Sequence, residues 1–205
     1  MRPLRRWLLP FAVVGMLAVA LAACYLPDDF KAEIRIGADG AYGITYEGYL
    51  TWVPLYTDIR DRKLSPKEAA EKIAGIEHDL KRDSGFKEIR SLGNGQFRVR
   101  YDRQGRFTRG ESEMITFVRR NALILYVKMD KNNRVTIAGN MPQGDRARDL
   151  VRLGLGVNGQ LRVTTGAYVS ESNAQTVGKH GPFRTYDWQI KPTDRRAPKL
   201  VIDLK

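Results

Sequence analysis

Between residues 31 and 52 the chain alternates. Ala32, Ile34 and Ile36 are separated by Lys31, Glu33 and Arg35. After Gly37-Ala38-Asp39-Gly40 the even positions Tyr42, Ile44, Tyr46, Leu50 and Trp52 carry the apolar side chains. Successive strand side chains point to opposite faces, so a period of two on both sides of an Asp-Gly turn predicts a β-hairpin. The period changes over "SPKEAAEKIAGIEHDLKRDSG", where Ala69, Ile73, Ile76 and Leu80 recur at three and four residues and make one narrow apolar stripe. Ser65 suits the N-cap of this helix, Pro66 its first position and Glu68 a capping box, while Gly85 suits a left-handed turn at its end.

Period two then returns. "FKEIRSLGNGQFRVRYD" predicts a hairpin about Gly93-Asn94-Gly95, with Phe97, Val99 and Tyr101 inward and Arg98 and Arg100 outward. "MITFVRRNALILYVKMDKNNRVTIAG" predicts three more strands, and "GDRARDLVRLGL" a short second helix with Leu150 and Leu153 facing in. "QLRVTT", "RTYDWQI" and "LVIDL" read as closing strands. No repeat or low-complexity linker interrupts the series. The expected fold is a single α+β domain over residues 31–205, a mainly antiparallel β-sheet covered by one long helix, plus a short second helix.

The N-terminus has a different pattern. Arg2, Arg5 and Arg6 precede an apolar run from Trp7 to Ala23, and small Ala22 and Ala23 lead into Cys24, the only cysteine. A basic start, an apolar middle and a small-residue end are the parts of a bacterial secretion signal. The run reaches the ~17 residues needed to cross a bilayer, so an uncleaved transmembrane anchor is the competing reading. Against it, the following "YLPDDF" contains no basic stop-transfer cluster.

Leu21-Ala22-Ala23-Cys24 resembles the lipobox of bacterial lipoproteins. That resemblance implies that residues 1–23 are a signal peptide, that Cys24 carries diacylglyceryl and further acyl groups, and that residues 24–30 are the acylated cysteine and a short tether. Acyl chains contribute about 0.8 kcal/mol per buried CH₂, so two or three hold a protein firmly on a membrane. In a cell with two membranes, Tyr25 in place of aspartate after the cysteine implies the periplasmic face of the outer membrane. With one membrane, the domain would sit on the outer face of the cytoplasmic membrane.

Composition narrows the partners. Thirty-five Lys and Arg against 23 Asp and Glu give a formal charge of +12, and removal of residues 1–23 lowers it to +9. A basic exported domain faces anionic lipid heads, lipid phosphates or acidic glycans, and nucleic acid is a poor partner outside the cytoplasm. With no second cysteine, stability must come from an ordinary core. The densest charge is "RVRYDRQGRFTRGE", which places Arg98, Arg100, Arg103, Arg106 and Arg109 beside Tyr101 and Phe107. Guanidinium forks match phosphate and carboxylate oxygens, which makes these five the candidate ligand-binding residues. The competing reading is a solvated strand face and loop paired with Asp102, Glu111 and Glu113. Tyr49 and Tyr56 fall off the inward parity or beyond a break at Pro54, where they can line a pocket or meet a membrane interface, although core packing is the leading reading for the whole aromatic group.

Local catalytic motifs are absent, which leaves for a hydrolase only a triad that joins His78 or His180 to a nucleophile and a carboxylate from distant segments. "GLGVNG" has the letters of a dinucleotide loop, but a helix precedes it and a strand follows, so phosphates would meet the wrong end of the helix dipole. "SGFK" places its serine at a helix end instead of a helix start. His78 and His180 have no partner at metal-ligand spacing. No catalytic residue, metal or cofactor is expected beyond the acyl groups on Cys24.

The order of features resembles the LppM-type family of bacterial lipoproteins. The resembling parts are the lipobox cysteine, the "IRIGADGAYGITYEGYLTW" hairpin behind it, a helix followed by strands, and the late "GAYVSESNAQTVG…YDWQI" segment with its Ser172-Asn173-Ala174 turn. The resemblance implies an envelope domain without established enzymatic activity. The chain departs from the family at "KPTDRRAPKLVIDLK", which is strand-like where many members carry a second apolar span, so attachment would rest on Cys24 alone.

The function expected is a lipid-anchored envelope protein whose domain binds an anionic lipid, glycolipid or envelope polymer. The alternative is a structural or assembly lipoprotein that partners a membrane protein and takes no small ligand. A lipid handler needs an apolar cavity, whereas a scaffold can have a filled core.

Overall fold

The computed structural model describes residues 25–117 and 125–204. Cys24 and the apolar run before it lie outside the described residues. Within them the chain forms β1 (Tyr25–Ile36), β2 (Ala41–Trp52), α1 (Val53–Arg60), α2 (Pro66–Lys81), β3 (Phe86–Ser91), β4 (Gln96–Arg106), β5 (Glu113–Phe117), β6 (Leu125–Met129), β7 (Arg134–Ala138), α3 (Gly144–Arg152), β8 (Gly159–Thr165), β9 (Tyr168–Ser172), β10 (Thr176–His180), β11 (Phe183–Ile190) and β12 (Lys199–Asp203).

The strands make two sheets. One has seven strands in the order β10-β11-β8-β1-β2-β4-β3, and the other has five in the order β5-β6-β7-β12-β9. The hairpin at residues 37–40 forms as its alternation demands, with Ile34 opposite Ile44 and Ile36 opposite Tyr42. Gly40 closes it at a φ of 84°, a left-handed value that glycine adopts freely. On its other side β1 runs parallel to β8, pairing Ile34 with Val163. The remaining described pairings are antiparallel.

The expected α+β fold, a sheet covered by one long helix, is not what forms: the described residues are mostly strand, in two sheets with short helices. The inner face of the seven-stranded sheet is covered by the second sheet, whose Ile115, Phe117, Val127, Met129, Val135, Ile137, Leu200 and Ile202 join the same core cluster. Tyr46 of β2 meets Phe117 of β5 with ring centroids 4.4 Å apart. The long helix has the expected stripe and a complete Ser65–Glu68 capping box, but the stripe is too narrow for a cover. Only its Leu80 is buried, and it packs beside β3 at the sheet edge. Period two identifies strands without saying which sheet they join, so β5, β6, β7 and β12 read equally well as a continuation of the first.

Two glycines differ in use from expectation or match it closely. α2 ends on Arg82 in a right-handed conformation, and Gly85 instead makes room for Tyr101, whose ring lies 2.3 Å from where a Cβ would stand. At the end of α3, Gly154 N–H donates to Val151 O and Leu155 N–H to Leu150 O, with Gly154 at φ 74°. That is a helix terminus of the Schellman type, with buried Leu150 and Leu155 as its apolar pair. β8 follows it, so "GLGVNG" is a helix stop and a turn.

The strand β1 starts at Tyr25, so most of the segment expected as a tether is structured. Leu26 and Pro27 are buried, and a bulge between Asp28 and Lys31 drives Phe30 into the core. Gly48 and Gly159 flank it. A Cβ on Gly159 would stand 2.4 Å from the Phe30 ring, and one on Gly48 2.6 Å from its Cβ.

Candidate functional site

The two sheets do not close on each other completely. Between them, at the end of the sandwich where β1 begins, lies a cavity of about 600 Å³. Such a volume is ordinary for a small-molecule site, and its predominantly apolar lining suits an apolar occupant. Its walls come from the inward parity of several strands. Leu26, Phe30 and Ala32 of β1, Tyr46 of β2, Leu161 of β8 and Phe117 of β5 all face it. The strand β1 therefore brings the cavity to the residue next to Cys24, because Tyr25 is itself part of the lining.

Aromatic contacts stiffen the walls. Phe30 stacks on Tyr46 with centroids 5.4 Å apart and planes at 16°. Tyr25 packs on Trp52 at 4.7 Å. The Tyr46 hydroxyl donates to Tyr49 O at 2.9 Å, and burial pushes its ionisation well above the usual phenol range, so it stays neutral. Tyr25 is shifted the same way, by burial first and then by the charge of Asp79. The rings thus offer apolar surface with their polar ends already engaged or neutral.

α3 closes one side. Leu150 and Leu153 face the cavity, and Met141 just before the helix joins them. The Tyr56 hydroxyl donates to Leu153 O at 3.3 Å, and Gln143 Nε2 donates to Arg195 O at 3.3 Å, tying both ends of the segment down. Polar groups gather at this rim, with Asn140, Gln143, Asp145, Arg146 and Asp149 among the lining. Such a rim can hold the polar end of an amphipathic molecule whose chain lies inside.

The five candidate arginines are placed elsewhere. None lines the cavity. Arg98 and Arg100 point outward from β4, and Arg98 pairs with Glu47 at 3.4 Å. Arg106 pairs with Asp39 at 2.6 Å across the hairpin end, which holds that carboxyl below its ordinary range. Arg109 donates to Ala38 O at 3.2 Å. Arg103 turns to the inner side, half-buried beside Tyr101 and Tyr42; burial works to lower its pKa, and the tyrosine oxygens together outweigh that and raise it. The buried Tyr101 hydroxyl has no well-formed hydrogen bond, and Arg103 is the charged group beside it. The segment is dispersed along a strand and its turn.

The tyrosine expectation fared differently. Tyr49 lines a polar groove on the outer face of the seven-stranded sheet, together with Arg98. Tyr56 braces α3 over the cavity. The Asn173 turn was visible as a motif but not as chemistry. Asn173 Oδ1 accepts from Trp188 Nε1 at 2.9 Å and from Lys199 N at 2.7 Å, while its Nδ2 donates to Ala197 O at 2.8 Å. One side chain therefore links β11 of one sheet to β12 of the other, at the point where the chain crosses between them.

His78 and His180 are both exposed. Among the described residues no helix is long and apolar enough to cross a membrane.

No family model matches the chain, and no curated protein matches it. Among solved structures it is similar to the folded domain of LppM from Mycobacterium tuberculosis, determined by NMR, with a TM-score of 0.39 and 11% identity. The match covers 88% of this chain and 92% of that one.

Proposed function

We propose that this is a lipid-anchored envelope protein whose domain takes an acyl chain or a similar elongated apolar group into the cavity between its sheets. The observation that carries the reading is the cavity itself, about 600 Å³ of largely apolar space between the two sheets. Natural cores seldom leave voids larger than a water molecule, because each lost contact costs stability. Space of this size is retained where something occupies it. The place of the cavity fits an anchored protein. Cys24, the expected acylation site, is covalently next to Tyr25 of the lining, so the opening would sit close to the bilayer and apolar molecules could enter without crossing water. The cavity also favours lipid handling over the purely structural alternative, which needs no such space.

The polar end of the ligand would lie at the α3 rim and not along Arg98–Arg109. A titration of residues 25–205 with a fluorescent fatty-acid analogue tests the reading. Saturable binding near one per protein is expected, weakened at least tenfold by Ala32→Phe, which fills the cavity. Equal binding by both proteins would overturn it. For the anchor, Cys24→Ser should release the domain from the membrane or leave an unprocessed precursor.

A further inference from the structure

The outer face of the seven-stranded sheet carries a second concavity, a groove of about 480 Å³ whose lining is mainly polar. It is built by strand register. Gln189 of β11 lies opposite Gln160 of β8, Gln160 beside Lys31 of β1, and Lys31 opposite Glu47 of β2. At the usual strand spacing of about 4.8 Å, this row of four spans about 14 Å. Tyr49 and Arg98 continue it, and Asp29 and Asn158 form its end. The hollow exists because the bulge between Asp28 and Lys31 sends Phe30 inward, past Gly48 and Gly159.

We propose that this groove is a binding site for a neutral, hydroxyl-rich ligand of the oligosaccharide class. The charge balance is the first reason. Lys31 and Arg98 are offset by Asp29 and Glu47, so the groove offers an anion no net attraction despite the basic character of the whole chain. The second reason is the mixture of donors and acceptors. A sugar hydroxyl both donates and accepts, and the groove pairs amides that do both with carboxylates that accept and cations that donate. Gln189 Nε2 already donates to Gly159 O at 3.2 Å, which fixes that amide in the wall before a ligand arrives. Third, the Tyr49 ring is the aromatic surface on which the C–H face of a sugar can rest. The Arg98–Glu47 contact is long, and both side chains are more than half exposed, so little holds it closed against a ligand. Cavity and groove lie on opposite sides of the same sheet, and the groove ligand is independent of whatever occupies the cavity.

The test is saturation-transfer NMR on the full chain purified from membranes. The probes are the β-1,4-linked tetramers of N-acetylglucosamine and glucose, maltotetraose, and dextran sulfate as the anionic control. Transfer to at least one neutral tetramer is expected. It should fall at least tenfold in Gln160→Ala and in Tyr49→Ala, and persist in Ala32→Phe. Gln160 is exposed on the strand surface, so its substitution leaves the fold intact even if Tyr49→Ala does not. Transfer to none of the neutral tetramers, to dextran sulfate alone, or at full strength in Gln160→Ala would overturn the proposal.

Discussion

The cavity and the groove draw on the same four strands, β1, β2, β8 and β11, and share one residue. β1 contributes Leu26, Phe30 and Ala32 to the cavity, and Asp29 and Lys31 to the groove, with Phe30 forming part of both. A shift of one position along the strand exchanges apolar surface for charge, because successive side chains point to opposite faces. What differs is how each space is kept open. The cavity persists because stiff aromatic walls hold two sheets apart at one end. The groove persists because a bulge and two glycines let the backbone dip. The first is a property of packing and the second of backbone register, so substitutions should affect them on different energy scales.

The largest expected effect is in the cavity wall. Phe117 packs on Tyr46, Phe86 and Tyr101. Phe117→Ala should cost about 3–5 kcal/mol in denaturant unfolding, whereas Gln160→Ala in the groove should stay within about 0.5 kcal/mol. Similar losses for the two would break the contrast. Next is the link between the sheets. Asn173→Ala removes the side-chain acceptor of the Trp188 indole and of Lys199 N–H, and should cost about 1–3 kcal/mol. A smaller effect is expected on the inner face of β4. Tyr101→Phe deletes a buried hydroxyl that lacks a well-formed hydrogen bond but whose oxygen faces the Arg103 guanidinium, so the two effects oppose and stability should change by less than about 1 kcal/mol.

The smallest effect depends on pH and lies at the bulge between the two spaces. Burial holds the Asp28 carboxyl above its ordinary 3.8, against the lowering effect of its bond from Asp29 N–H and with further help from the charge of Asp29. A folded-state pKa that is raised means the folded protein keeps this proton more tightly than the unfolded chain. The resulting contribution to stability is complete below the unfolded value and is lost as pH rises through the folded one. Asp28→Asn should therefore be more stable than the wild type at pH 7, with the advantage vanishing below about pH 3.8. Thermal melts of both proteins across that range measure it, and an advantage that grows towards acid would contradict the assigned sign.

Much of the strand content was legible because alternation is written residue by residue. The hairpins at residues 37–40 and 93–95 and the capping box at Ser65 follow from local rules and form as those rules require. The division into two sheets was not legible, since Ile115 or Val135 alternates in the same way whichever sheet it joins. α1 was hidden by Pro54, which reads as a break but here occupies the first turn of a helix. β9 and β10 were hidden by their polarity, as edge strands with few buried side chains. The cavity could not be read at all, because a void depends on how far apart two sheets settle. The arginine run drew attention by density in sequence, yet one-dimensional closeness put its members on two faces and a turn. Tyr49 falls off the inward parity and lines the outer groove, while Tyr56 packs against the core as the leading reading of the aromatic group expects.

The central claim is that the space between the sheets holds an apolar molecule. Native mass spectrometry of residues 25–205, purified gently after expression in a bacterial envelope, tests it directly beside Ala32→Phe. The account predicts an adduct of one lipid-sized mass per protein, absent from Ala32→Phe at equal folded yield. A wild-type protein that flies without any adduct, and gains none when incubated with lipid vesicles, would contradict it.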